Sequence, residues 1–346
     1  MKGELAMKVL AIETSCDETC AAITEGTNIL SNVVWSQIDL HAEFGGVVPS
    51  IAKRAHEEKI DWVINRSIDN AKLTMDNVNA IAVTAGPGLA IALEVGIHKA
   101  KELAVKLNKP LIAVNHIEGH VLSSLVHQID ISFPAMALVV SGGHTELILI
   151  EAIGQYKIMA RTIDDALGEA LDKAARMLGL GYPGGAELEK AARMGNPQAY
   201  PLPLPMLGRE NQNEFSYSGL KTAFWRLVNQ FPVNQLTSQQ IADLAACFQD
   251  RAFTHLTRVL KKTIYNLEPR TQNLLVGGGV AANSELRKRL SDLDKRINYP
   301  TKGLYGDNAA MVGIAAGFKA DRGEFVKDIN LIDRLPRWRI DQKIDW

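Results

Sequence analysis

The chain has 346 residues, enough for two domains at roughly 150 residues each. Hydrophobic residues make up 47% and charged residues 22%, an ordinary globular composition that argues against disorder. The 38 Lys+Arg and 39 Asp+Glu leave a net charge of −1, which excludes a broadly basic nucleic-acid coat and a polyacidic tail but not a local basic surface.

No apolar run approaches the ~18 residues of a membrane span; Ala135–Val140 is among the longest. Met1–Leu10, with acidic Glu4 inside it and Glu13 close by, lacks the pattern of a secretory leader. Cys16, Cys20 and Cys247 form no Cys-x-x-Cys pair and no disulfide framework, so a cytoplasmic protein is expected.

Short β-branched runs alternate with stretches of helical period, the pattern of an α/β fold. Strands are predicted at Val9–Ile12 and Ala21–Thr24, on either side of a small, polar turn. A third follows at Ile81–Val83, then a helix whose buried stripe is Leu93, Ile97, Ala100, Ala104 and Leu107, then a strand at Leu111–Val114. Immediately after comes His116-Ile-Glu-Gly-His120. On a helix the two histidines lie about 40° apart and can reach one metal ion, whereas Glu118 lies about 200° round from His116. A His-Glu-x-x-His peptidase needs its acid directly after the first histidine, so this geometry weakens a peptidase reading. Two histidines are an incomplete site, and the alternative is a plain pair of surface histidines.

Strands at Ala137–Val140 and Glu146–Ile150 again flank a small-residue turn, Ser141-Gly-Gly-His144. Turns of this kind offer backbone N–H groups to an anion, and their recurrence favours a duplicated architecture with a cleft between two halves. In Asp164–Arg176 the acids Asp165, Glu169 and Asp172 share a face; solvated helix surface, with Glu169 paired to Lys173, is the simpler reading. Tyr182–Gly185 and Pro197–Pro205 are predicted to lie on the surface or to rim the cleft. A helix is predicted from Ile241 to Ile264 and a strand at Leu274–Val276, which runs into Gly277-Gly-Gly279 and a helix capped by Asn283 or Ser284. That run is neither a dinucleotide fingerprint nor a P-loop. Near the end, Asp307 is either the N-cap of another helix or the missing oxygen ligand. The tail Glu324–Trp346 is mixed in charge and suggests no chemistry.

Taken in order, Ile12-Glu-Thr-Ser-Cys-Asp-Glu-Thr19, Gly45-Gly-Val-Val-Pro49, Thr84-Ala-Gly-Pro-Gly-Leu89, His116-x-Glu-Gly-His120, Val140-Ser-Gly-Gly-His-Thr145, Tyr182-Pro-Gly-Gly185, Phe215-Ser-Tyr-Ser-Gly-Leu-Lys-Thr222, Gly277–Asn283 and Asp307-Asn308 resemble the TsaD (Gcp/YgjD) family. These are the tRNA N6-adenosine threonylcarbamoyltransferases, and the resemblance runs over nearly the whole chain. It implies two ribonuclease-H-like lobes of the actin, sugar-kinase and heat-shock-chaperone superfamily. Residues 1–133 with about 309–346 are expected to form the N-terminal lobe, and 134–308 the C-terminal one.

The resemblance further implies one divalent metal, usually iron and alternatively zinc, on His116, His120 and Asp307. It places the adenylate of the substrate on Val139, Val140, Ser141, Gly142, Gly143, Asp172, Gly185, Glu189 and Asn283, and it requires no covalent nucleophile. The implied reaction moves a threonylcarbamoyl group from threonylcarbamoyl-AMP to the adenosine at position 37 of tRNA. The implied bacterial partners are a shorter paralogue (TsaB) and a small ATPase (TsaE). A kinase of the same fold acting on a small molecule is the alternative, and a metallopeptidase a weaker one. Three positions depart from the family pattern: Asn115 where many relatives have His, Ile91 where a small residue is common, and Gly306 where Thr or Ser is frequent. For the tRNA, Arg251–Lys302 holds 11 Lys+Arg against 4 Asp+Glu, an excess of 11 − 4 = +7 and a candidate phosphate-binding patch.

Overall fold

The computed structural model describes residues 7–126, 131–209, 212–232, 236–267 and 271–346. The first six residues, on which the leader reading partly rests, and Arg270 of the basic stretch lie outside them. The described chain forms two compact units: one from residues up to Ile131, with Ile153–Tyr156 and Pro300–Trp346, and one from Ser132–Ala152 and Lys157–Tyr299. Asp307 therefore belongs with the two histidines, in the first unit.

In chain order the first unit opens with β1 (Lys8–Glu13), β2 (Glu18–Glu25) and β3 (Asn28–Ser36), then α1 (Ile38–Ala42) and α2 (Pro49–Ala71). It continues with β4 (Ala80–Gly86), α3 (Ala90–Leu107), β5 (Leu111–Asn115) and α4 (His116–Leu122). Next come β6 (Ala135–Val140), β7 (Thr145–Ala152), β8 (Gln155–Thr162), α5 (Leu167–Met177), α6 (Gly184–Ala192), β9 (Glu214–Phe215), α7 (Ser218–Val228) and α8 (Ser238–Leu267). Then follow β10 (Asn273–Gly277), α9 (Ser284–Ser291), β11 (Arg296–Asn298) and finally α10 (Ala309–Asp321), which returns to the first unit.

Both sheets are mixed, with strand order β3-β2-β1-β4-β5 in the first and β11-β10-β6-β7-β8-β9 in the second. Each contains the same arrangement: an antiparallel hairpin (β1/β2, β6/β7) whose first strand also pairs in parallel with a later one (β4, β10). The parallel strands β4 and β10 are buried at every residue and, apart from Thr84 and Asn273, carry no polar side chain, because both their faces are covered. Every strand predicted from the sequence lies inside one of these elements. The unpredicted β3, β8, β9 and β11 are either short or only half buried, so they carry no continuous apolar run.

The helix stripe from Leu93 falls on α3, and the stretch from Ile241 falls on α8. The tail is structural: Ile332 and Trp338 join the core of the first unit, and Leu335 donates its N–H to the Ala85 carbonyl at 2.7 Å.

Candidate functional site

Helix α4 starts where β5 ends because Asn115 caps it; its side-chain oxygen accepts from the N–H groups of Ile117 (2.9 Å) and Glu118 (3.3 Å). This is the position where the family pattern often has His, and Asn is the better cap. The helix is short and buried at every residue. Gly119 allows this, since a Cβ there would meet the Met311 side chain of α10 at 3.2 Å. His116 and His120, one turn apart, place their rings edge to face with centroids 4.7 Å apart.

The choice left open for Asp307 is resolved by its neighbour. Asn308 caps α10 by accepting from the Met311 N–H at 3.1 Å, so the Asp307 carboxylate is not needed there. Its Oδ1 instead lies 3.1 Å from His120 Nε2 and 3.5 Å from His116 Nε2. One ligand atom from each of the three residues lies within 4.8 Å of the others. Donors bound tetrahedrally to one ion at ~2.1 Å stand about 3.4 Å apart. The two separations from Asp307, 3.1 and 3.5 Å, are close to this, and the two imidazole nitrogens would draw together from within 4.8 Å on binding an ion.

The charges around it point the same way. Glu13, fully buried at the end of β1, faces His116 Nδ1 at 3.0 Å. Burial disfavours the His116 cation, yet Asp307 and Glu13 outweigh it and raise the imidazole to about 9. Burial, with Asp307 and Asp17 nearby, pushes Glu18 up to about 10. A cation bound here would offset the repulsion from Asp307 and Asp17 that, after burial, helps keep the proton on Glu18. His120 is anchored differently: its Nδ1 is buried with no hydrogen-bond partner among the described residues.

Glu118 does point away from the histidines. It accepts from the Tyr156 hydroxyl at 3.0 Å and lies 3.8 Å from Arg322, and burial raises its pKa. It lines a cavity of about 340 Å³ formed with α10 and the tail, so it is not placed to activate a metal-bound water. Burial also raises the Cys16 and Cys20 thiols well above their ordinary range, which leaves neither poised as a nucleophile.

In the second unit the expected substrate residues gather at the carboxyl ends of the parallel strands β6 and β10. Val139 and Val140 end β6, and Ser141, Gly142 and Gly143 form the turn that follows. This turn is braced by Ser141 N–H to His144 O (2.9 Å), His144 N–H to Ser141 Oγ (3.1 Å) and Gly168 N–H to Ser141 O (3.1 Å). Gly278, at φ +90°, sits so close that a Cβ would lie 2.3 Å from the Val140 carbonyl oxygen. Nothing lies within 4 Å of a Cβ on Gly142 or Gly143, so the exposed face of the turn is open.

On α5, Asp172 accepts from the Gly185 N–H at 2.7 Å. On α6, Glu189 Oε1 accepts from Ser284 N–H (3.0 Å), Ser284 Oγ (2.5 Å) and Arg193 (2.8 Å). Asn283 is the cap of α9, accepting from Glu285 and Leu286 N–H, and its amide donates to Gln249 at 3.1 Å. Glu169 pairs with Lys173 as expected, whereas Asp165 precedes α5 and pairs with both Lys173 and Lys221.

Within the basic stretch some cations have partners of their own and others stay exposed. Lys302 belongs to the first unit, Arg289 is held by Glu285 and Asp250, and Arg287 lies over the Tyr299 ring at 4.3 Å. Lys261, Lys262, Lys288 and Arg296 remain exposed in the second unit. The sequence reading gives Glu13 no role, although a carboxylate ending the apolar run Val9–Ile12 is a usable signal.

The fold and these sites define an α/β chain of two mixed-sheet units, with a candidate metal centre in one unit and a small-residue turn at the strand ends of the other. Solved structures of this fold resemble it. T. kodakarensis HypF gives a TM-score of 0.58 at 14% identity, over 93% of this chain and 49% of that one. The (R)-2-hydroxyglutaryl-CoA dehydratase component A of Acidaminococcus fermentans gives 0.54 at 14% identity, over 91% and 99%. At the level of sequence, residues 28–314 match the TsaD family, described as tRNA N6-adenosine threonylcarbamoyltransferase.

Proteins of that name are 44% identical in Bartonella tribocorum, over 97% of this chain and 96% of that one, and 45% identical in Trichlorobacter lovleyi, over 98% and 99%. The chain belongs to the TsaD family. Among the described residues no helix is long and apolar enough to cross a membrane.

Proposed function

We propose that this chain transfers a threonylcarbamoyl group to the N6 amine of the adenosine at position 37, next to the anticodon, of tRNAs reading codons that begin with A. The donor in this reading is threonylcarbamoyl-AMP. The observation that carries the proposal is the His116–His120–Asp307 constellation in a chain matched to the TsaD family over residues 28–314.

The reaction is acyl transfer from a mixed anhydride. The N6 nitrogen forms a bond to the carbamoyl carbon, the bond from that carbon to the phosphate oxygen breaks, AMP leaves, and the amine gives up a proton. AMP is a good leaving group, so positioning and electrostatic stabilisation suffice and no covalent nucleophile is needed. The Ser141–Gly143 turn and Val139–Val140 present backbone groups to the adenylate. Asp172, Gly185, Glu189 and Asn283 border it on α5, α6 and the cap of α9; Glu189 keeps its Oε2 for a substrate hydroxyl, since Ser284 and Arg193 both meet Oε1. His116, His120 and Asp307 hold one divalent metal, iron or zinc, which when bound supplies a Lewis acid to the acyl group.

The tRNA meets the exposed cations of the second unit by counterion release, a sequence-independent attraction. A TsaB-like paralogue and a TsaE-like ATPase complete the system, and all of it works in the cytoplasm.

The test is mass spectrometry of nucleosides from tRNA of source cells depleted of the protein. Threonylcarbamoyladenosine should disappear and return with the wild-type gene but not with His116→Ala. Unchanged modification, in cells with no redundant relative, would overturn the transferase reading and favour a small-molecule kinase.

A further inference from the structure

The acid at the end of β1 makes a set of contacts that only one kind of side chain can satisfy. Glu13 is fully buried. Its Oε1 accepts from the Ser15 backbone N–H at 2.5 Å. Its Oε2 accepts from the Thr84 hydroxyl at 2.6 Å and lies 3.0 Å from His116 Nδ1. The Ser15 hydroxyl also lies 3.1 Å from His116 Nδ1. If that hydroxyl donated to Nδ1, the nitrogen lone pair would face the Glu13 carboxylate, which is repulsive. With the proton on Nδ1, both oxygens accept from it and the conflict vanishes.

We infer that Glu13 is a positioning residue for the metal: it fixes the proton of His116 on Nδ1 and thereby turns the Nε2 lone pair toward Asp307. The inference rests on reading His116, His120 and Asp307 as a metal site. A ligating histidine held in this way by a carboxylate is both oriented and made more basic.

The donor pattern explains why an amide cannot replace the acid. Glutamine has one accepting end and one donating end, whereas the site offers donors to both. With its carbonyl toward Ser15, the NH₂ group faces Nδ1 and drives the imidazole proton to Nε2, the atom that must coordinate. With its carbonyl toward His116, the NH₂ group meets the Ser15 N–H, and a buried hydrogen bond is lost. Either orientation weakens the site without changing its shape. The two histidines are unequal in this respect, because His120 Nδ1 has no such partner among the described residues.

The experiment measures Zn²⁺ affinity of the full chain by competition with a chromophoric chelator, for wild type, His116→Ala and Glu13→Gln. Glu13→Gln is expected to bind Zn²⁺ about 10–100-fold more weakly than wild type. An affinity within twofold of wild type overturns the inference. Binding by wild type that His116→Ala leaves intact overturns the metal reading itself, and the inference with it; so does a wild type that binds no Zn²⁺. Should Glu13→Gln fail to fold, ¹⁵N spectra of the Zn²⁺-loaded wild type decide. A protonated Nδ1 and a metal-bound Nε2 on His116 support the inference, and the reverse assignment removes it.

Discussion

The two candidate sites are built from opposite materials. In the first unit the functional groups are side chains: two imidazoles and a carboxylate, buried or nearly so and oriented by a further buried acid. In the second unit they are mostly backbone, presented by a turn whose glycines face open space while its base is braced by Gly168 and Gly278. Side-chain sites are vulnerable to loss of a functional group. Backbone sites are vulnerable to added bulk, and the side chains around them serve mainly as caps. Substitutions of the two kinds therefore separate the units.

The largest effect is expected from His116→Ala or Asp307→Ala. Each should abolish stoichiometric metal binding and lower transfer to tRNA by on the order of 100-fold or more, several kcal/mol of transition-state stabilisation. Asn308→Ala is the control, since it removes the cap of α10 and the amide's bonds to the Gly306 and Leu304 carbonyls, at about 1–3 kcal/mol of stability, and leaves the Asp307 carboxylate in the chain. Metal content and single-turnover transfer measured side by side check this; equal losses in all three variants would mean that Asp307 is structural.

In the second unit the corresponding blow is Gly278→Ala. A Cβ at φ +90° and 2.3 Å from a carbonyl oxygen forces the β10 turn away from β6. A destabilisation of about 1–3 kcal/mol is expected from backbone strain alone, with weaker adenylate binding and unchanged metal affinity. Urea unfolding and equilibrium dialysis with AMP measure the two parts. An unchanged affinity for AMP would detach the turn from substrate binding.

How much of this the sequence disclosed follows the same division. The histidine pair is legible because helical spacing alone puts residues 116 and 120 on one face, and the direction of Glu118 follows from the same arithmetic. Asp307 is not legible alone: Asp and Asn stand side by side before α10, either can cap a helix, and only the fold shows that Asn308 does. The repeated hairpins are visible as apolar runs, whereas β3, with alternating and half-exposed residues at a sheet edge, is not. The long α2 is only half legible: Ile60, Val63, Ile64 and Ile68 make a stripe in its second half, while its first half buries Ala52, Ala55 and His56. In the basic stretch composition alone does not say which cations are engaged: Arg287 bonds the Ala281 carbonyl and Arg289 bonds Asp250.

That last point gives a smaller and more selective prediction. Arg289 bonds Glu285, Asp250 and Thr254, so Arg289→Ala should destabilise the second unit by about 1–3 kcal/mol through the acids it leaves unpaired. Lys288→Ala, on an exposed side chain one residue earlier, should leave stability unchanged. If Lys288 meets a phosphate, its loss reduces the slope of log affinity for tRNA against log salt by about 1. A triple neutralisation of residues 287–289 would confuse the two effects, and single variants in salt titrations keep them apart.

The smallest effect concerns the tail rather than either site. Glu324 is held by Arg322 and Lys319, which outweigh its burial and lower it from 4.5 to about 2. A carboxylate with a depressed folded pKa stabilises the fold above its unfolded value, and that contribution is lost as pH falls from about 4.5 toward 2. The pair is partly exposed, so the loss should be modest and reduced by salt. Glu324→Gln should therefore narrow the difference in melting temperature between pH 6 and pH 3, with metal affinity at neutral pH unchanged. A change in metal affinity would instead tie the tail, through Arg322 and its neighbour Glu118, to the opposite side of the helix that carries both histidines.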